Sequence, residues 1–168
     1  MKIEDVKNNL DNISEDDLSK LEQLVNEATQ VILIGNGGSN AIASHIAVDY
    51  VKFLNKKSFA FSDSSMLTAY MNDYSVEEAY KQYIVDMHDN GSLVILISSS
   101  GNSKNIYNAA NYCKNNNINF VILTGFNQDN LVRKDFKDYA AIDYWVDSKS
   151  YGVVECVHQI FLHMIVNN

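Results

Sequence analysis

Three runs constrain what this 168-residue chain can fold into more than anything else in it: VILIG at 31–35, LVILIS at 93–98 and FVILTG at 120–125. Each is continuously apolar and rich in Val and Ile, so a strand built from it has no face suited to water and must be covered on both sides. Two shorter runs, SFAFS at 58–62 and AIDYWV at 141–146, bring the number of strand candidates to five. Amphipathic segments lie between and after them, at 39–55, 75–89, 103–115 and 128–137, and VVECVHQIFLHMIV closes the chain. Strands alternating with helices predict an α/β fold, a five-stranded parallel sheet held between two layers of helices. Upstream, Ser14 is placed to cap a helix whose stripe is Leu18, Leu21 and Leu24, and a shorter helix is expected over residues 2–11. Residues 1–168 therefore read as one domain, with 1–29 as an N-terminal helical region. The chain has no proline, so its elements must end on Gly, Asn, Asp and Ser. KNNNIN at 114–119 reads as such a helix end and turn.

Composition narrows the function. A net charge of −8 argues against nucleic acid as a partner, because phosphate backbones require a basic face. It also means that any anion site must be built locally, against the field of the whole chain. No apolar run approaches the length of a membrane span, and the first ten residues contain no apolar stretch of the signal-peptide kind. A cytoplasmic location without membrane contact is the expectation. Two cysteines, Cys113 and Cys156, are too few for a disulfide framework or a zinc ribbon and read as buried or inert thiols on helices.

The chemistry concentrates where strands give way to helices. The first apolar run ends in GNGGS (35–39) and the third in SSSGNS (98–103), and both lead straight into a helical segment. Glycine permits positive φ and close approach of a ligand to the backbone, and N–H groups at a helix N-terminus attract anions. Hydroxyls at Ser39, Ser98, Ser100 and Ser103 add donors without bulk. Two such loops on one sheet point to a phosphate held by neutral donors; the alternative is that Ser39 and Ser103 only cap their helices. The loops are neither G-x-G-x-x-G, since Ala41 takes the last position, nor a P-loop, since no G-K-[ST] occurs.

A second constellation lies on the same helices. His45 and Asp49 are four residues apart and share a helix face. Glu155 and His163, eight apart, are rotated by only about 80°. The four would suit a divalent metal, zinc by their imidazole and carboxylate chemistry, or a general acid/base pair beside a sugar. The plain alternative is polar residues on amphipathic helices, with His158 or His163 packed and hydrogen-bonded.

Taken together, GNGGSNAIASH, DSSMLTAYMNDY, ISSSGNSKNI, VILTG and ECVHQIFLH resemble, in unbroken order over about residues 20–166, the phosphoheptose isomerases of the sugar isomerase (SIS) superfamily. The resemblance implies a flavodoxin-like three-layer fold and a homo-oligomer, tetramer or dimer, to which residues 1–29 would contribute, with active sites at subunit interfaces. It implies conversion of sedoheptulose 7-phosphate to a heptose 7-phosphate through an enediol, in the synthesis of heptose for bacterial surface polysaccharide such as lipopolysaccharide or capsule. By position it places Ser98, Ser100 and Ser103 on the phosphate, and Asn36, Gly37, Ser39 and Asp73 around the sugar-phosphate chain. His45, Asp49, Glu155 and His163 fall on the metal ligands, with Asp49 and His163 as catalytic base and acid. The chain departs from the family at three places. Asp49 stands for Glu, Glu155 stands for Gln, and Gly152 and Val153 replace an Asp-Arg pair. A shorter side chain at 49 matters because a shift of about 1 Å can cost about a hundredfold in rate. These departures leave two other readings of the same fold, a non-catalytic SIS module that binds a phosphosugar or a partner protein, and a hexulose 6-phosphate isomerase.

Overall fold

In the computed structural model, which describes residues 2–166, the apolar runs form one sheet. Its strands are β1 (Gln30–Gly35), β2 (Ser58–Ala60), β3 (Ser92–Ser98), β4 (Asn119–Thr124) and β5 (Ile142–Trp145), in the order β2-β1-β3-β4-β5 and parallel throughout. The helices are α1 (Ile3–Leu10), α2 (Glu15–Glu27), α3 (Gly38–Phe53), α4 (Ser64–Tyr74), α5 (Ala79–Met87), α6 (Lys104–Asn115), α7 (Leu131–Phe136) and α8 (Tyr151–His163). Among the described residues no helix is long and apolar enough to cross a membrane.

The two-residue period of the strands sorts the sheet into two cores. Val31, Leu33, Ile95, Ile97, Val121 and Leu123 meet the side covered by α2, α3 and α8. Ile32, Ile34, Val94, Leu96, Phe120 and Ile122 meet the side covered by α5 and α6. All twelve are at most 2% exposed, which is why β1, β3 and β4 carry no polar face. Burying each of these side chains contributes on the order of 1.5–3 kcal/mol. α1 adds a fourth helix to the first core, with Val6 and Leu10 packed against it, and α1 lies on α8.

Helix ends follow the small polar residues. Ser14 accepts the Asp17 N–H at the start of α2, and Asn130 accepts the Arg133 N–H at the start of α7. α4 was not among the predicted helices. None of its residues is buried, so the segment has no apolar period to read. Its one local signal is Asp63, whose carboxylate accepts the Ser65 and Met66 N–H groups. Cys113 is buried, as expected, whereas Cys156 is exposed on the outer face of α8.

The strand order places the site. From β1 the chain runs out to the edge at β2 and then returns to the other side of β1 as β3, so the winding reverses between β1 and β3. A crevice opens outside their carboxyl ends, where parallel sheets take ligands. Gly35 is in register with Ile97, so the loops after β1 and β3 lie side by side.

Candidate active site

The two loops enclose a small cleft of about 130 Å³, lined by Asn36, Ser39, Ser98, Ser99, Ser100 and Ser103. Tyr151 and Glu155, from the first turns of α8, form its outer wall. Gly37, at the turn into α3, has φ +53°, and the GNGGS loop needs a residue without a Cβ there. At Gly38 a side chain would collide with the Glu155 carboxylate, which reaches from α8 to the α3 N-terminus.

The hydroxyls of Ser39 and Ser103 make no cap hydrogen bonds among the described residues. Gly37, not Ser39, occupies the N-cap of α3, and Ser103 holds the N-cap of α6 without a side-chain cap hydrogen bond. Ser98 and Ser100 brace the loop itself, their hydroxyls accepting the Gly101 and Asn102 N–H groups at 3.2 and 3.3 Å. Ser99 Oγ is buried and has no hydrogen-bond partner among the described residues. An unpaired buried hydroxyl costs about 1–3 kcal/mol, which a ligand oxygen or a water would offset. Ser99, Tyr151, Tyr80 and Asn105 are the site residues that the sequence reading did not single out. For Ser99 the signal was present, since it lies inside SSSGNS.

Asn36 is exposed as a residue, but its amide turns inward. Its Oδ1 accepts from Asn105 Nδ2 and its Nδ2 donates to Asn105 Oδ1, both at 3.0 Å. The Tyr80 hydroxyl lies 2.8 Å from both Asn36 Oδ1 and the Gly35 carbonyl oxygen. Burial pushes the Tyr80 phenol up to about 12, so this donor keeps its proton. Asp73, near the end of α4, is exposed, accepts from Asn72 Nδ2 at 3.0 Å and lies outside the cleft lining.

Farther along α3 the second constellation is partly assembled. His163 Nε2 lies 2.7 Å from Asp49 Oδ2, and His45 Nε2 lies 3.5 Å from the same oxygen. The two imidazole rings meet edge to face at 5.0 Å between centroids. Asp49 is the inner member at 14% side-chain exposure, against 31% for His163 and 53% for His45. One ligand atom from each of the three lies within 4.8 Å of the others, so His45, Asp49 and His163 could hold a metal ion. Two imidazoles and one carboxylate fit a divalent transition metal. The hydrogen bond between His163 Nε2 and Asp49 Oδ2 uses two of the atoms that a cation would take, so metal binding would replace it.

Glu155 is not part of this group, contrary to the expectation from its spacing. Rotation of about 80° puts it near the His163 face, but eight residues are also about 12 Å of helix rise. Its carboxylate instead packs at Gly38, in the cleft. His158 is the packed histidine of the plain alternative. It is fully buried, its Nε2 donates to the Thr124 carbonyl at 3.0 Å, and burial pushes its pKa down to about 4.

Tyr50 ties this end of the helix pair together. Its hydroxyl, fully buried, donates to the Leu162 carbonyl at 3.1 Å, linking the neighbours in sequence of Asp49 and His163.

Comparison with known proteins agrees with this fold. The SIS domain profile matches residues 3–125. A phosphoheptose isomerase of Aneurinibacillus thermoaerophilus is 36% identical over 153 residues, covering 88% of this chain and 75% of that protein. One from Thermodesulfovibrio yellowstonii is 31% identical over 122 residues, 69% of this chain, and the match spans 60% of that protein's length. In fold, the chain superposes on phosphoheptose isomerase from Neisseria gonorrhoeae with a TM-score of 0.85 at 23% identity, over 96% of this chain and 90% of the other. The serine loops, the parallel sheet that carries them and these relatives lead to one assignment: the chain belongs to the SIS domain family, in its phosphoheptose isomerase branch.

Proposed function

We propose that the protein is a sugar-phosphate aldose–ketose isomerase that interconverts sedoheptulose 7-phosphate and a heptose 7-phosphate. The observation that carries this reading is the pairing of a neutral-donor anion cleft with an Asp49–His163 acid/base pair on the same helices, in a chain whose relatives are phosphoheptose isomerases. The phosphate takes the hydroxyls of Ser98, Ser99, Ser100 and Ser103 and the N–H groups of the first turn of α6. Ser39, Asn36 and the Gly37 backbone meet the sugar-phosphate chain, whereas Asp73, which lies outside the cleft lining, takes no part in it.

The reaction moves one proton between carbons and one between oxygens. The Asp49 carboxylate removes a proton from C1 of the ketose, the C1–H electron pair becomes the C1=C2 bond, and the C2 oxygen gains a proton. The enediol then loses the proton on O1 as C2 is protonated, and the aldose results. His163, 2.7 Å from Asp49, holds the carboxylate in place and exchanges the oxygen protons. A divalent cation, zinc by the character of His45, Asp49 and His163, supplies positive charge to polarise the carbonyl oxygen when bound.

Asp49 lies ten residues along α3 from Ser39, about 15 Å of rise, so the pair serves the far end of an elongated ligand or the cleft of a second subunit. A homo-oligomer, tetramer or dimer, is supported by the groove of about 570 Å³ between α3 and β2. It leaves Val48 53% and Val51 48% exposed beside Met66. Light scattering of the purified protein measures this directly; a monomer at micromolar concentration contradicts it.

The test of function is an isomerisation assay on sedoheptulose 7-phosphate, with zinc supplied and with the metal removed. Turnover by the wild type that is lost in Asp49→Asn and His163→Ala supports the proposal. Stoichiometric binding of the sugar phosphate without turnover of any seven- or six-carbon ketose phosphate overturns it and makes the chain a binding module.

A further inference from the structure

The loops after β1 and β3 come from opposite sides of the point where the winding of the sheet reverses, and nothing in the β-ladder fixes their separation beyond Gly35 and Ile97. Asn36 in the first loop and Asn105 in the first turn of α6 close that gap with a reciprocal pair of amide hydrogen bonds, both 3.0 Å. The orientation of the pair is not arbitrary. The Ile106 N–H points at Asn105 Oδ1 at 3.0 Å, which makes that atom the oxygen and turns Asn105 Nδ2 toward Asn36. Asn36 must then present its oxygen to Asn105 Nδ2 and its nitrogen to Asn105 Oδ1. Tyr80, from α5, adds its single hydrogen between Asn36 Oδ1 and the Gly35 carbonyl, 2.8 Å from each. Asn105 is 6% exposed and Tyr80 2%, so neither competes with water for these partners.

We infer that Asn105 and Tyr80 are positioning residues that set the distance between the phosphate end and the sugar end of the cleft. The inference rests on the reading of the cleft as a sugar-phosphate site. Asn105 and Tyr80 do not line the cleft, whereas Asn36 does, so they act through Asn36 and the Gly35 backbone. A ligand that touches only the loop after β3 does not sense the latch. One that must touch both loops does. Inorganic phosphate is of the first kind and a sugar phosphate of the second.

The experiment compares those two ligands in the full-length protein by calorimetric titration, together with KM and kcat for sedoheptulose 7-phosphate. The variants are Asn105→Leu, which removes the amide pair, and Tyr80→Phe, which removes only the hydroxyl. Asn105→Leu is expected to weaken sugar-phosphate binding about tenfold and Tyr80→Phe about threefold. Affinity for inorganic phosphate is expected to stay within twofold in both, and KM to rise more than kcat falls. Equal loss for both ligands overturns the inference, because it means the α6 N-terminus has simply collapsed. No loss for either overturns it as well. If Asn105→Leu does not fold, the near-isosteric Tyr80→Phe carries the test. Wild type that binds sedoheptulose 7-phosphate without isomerising it refutes the proposed activity while the comparison of ligands still decides this inference. Wild type that binds neither ligand refutes both.

Discussion

Gly101 offers a measurement of how firmly the phosphate loop is held. Its φ of +63° disfavours any residue with a Cβ, and a Cβ built there overlaps the Asn130 side chain. Asn130, 2% exposed, donates to the Gly125 and Asn127 carbonyls at 3.3 and 3.0 Å and accepts the Arg133 N–H at 3.1 Å. Gly101→Ala therefore has two costs. The left-handed backbone costs about 1 kcal/mol. Displacing Asn130 loses three hydrogen bonds at about 1 kcal/mol each. The expected total is about 4 kcal/mol, which for a chain of this length lowers Tm by about 8–16 °C. Asn130→Ala alone loses the three bonds, about 3 kcal/mol. In the double variant the overlap has gone and only the backbone strain is added, so its cost is again about 4 kcal/mol rather than the sum of about 7. Chemical denaturation of the four proteins gives the cycle. Additivity of the two single changes, or a cost for Gly101→Ala below about 1 kcal/mol, refutes the claim that Asn130 and Gly101 form one unit.

Other outcomes follow from the site and the core. Asp49→Asn and His163→Ala are each expected to lower kcat on sedoheptulose 7-phosphate at least a hundredfold, in the range for removal of an acid or base, while phosphate affinity measured by calorimetry stays unchanged. His158 makes stability depend on acid. Folded, its pKa is about 4, and unfolded it returns to the ordinary 6.5, so between those values the unfolded chain binds more protons. Stability is expected to fall as pH drops through that window, by up to about 3 kcal/mol, and His158→Asn to flatten that part of the curve in denaturation at pH 7 and pH 4.5. Added zinc at a hundred times its dissociation constant is expected to stabilise the protein by about 2.7 kcal/mol in thermal melts, with the effect lost in His45→Ala. An unchanged melt on addition of zinc to the wild type removes the metal assignment.

Sequence and structure agree most closely where one local rule decides. The apolar runs at 31–35, 93–98 and 120–125 became β1, β3 and β4 because burial on both faces leaves no other use for them. Ser14 capped its helix because the N–H it accepts is three residues away. α4 escaped notice because it buries nothing, and helical periodicity is a record of burial. Glu155 shares a helix sector with His163 by angle, but the rise between them keeps it out of the His45, Asp49 and His163 group of the same chain. The Asn36–Asn105 and Tyr80–Asn36 contacts join residues 69 and 44 positions apart, and no spacing rule reaches across a strand, an edge and a return. Ser99 lay in plain view among its neighbours. What distinguishes it, a buried hydroxyl with no partner among the described residues, exists only once the chain is folded.

The lining of the cleft includes no lysine or arginine but does include Glu155, and the chain around it carries a net charge of −8. A phosphate dianion on approach thus meets repulsion, from the net charge and from the Glu155 carboxylate in the cleft wall, and finds directional donors only at contact. Salt screens the first and leaves the second nearly untouched. Association with a sugar phosphate should accordingly quicken as ionic strength rises, and dissociation should barely respond, the reverse of the behaviour of anion sites built on cationic side chains.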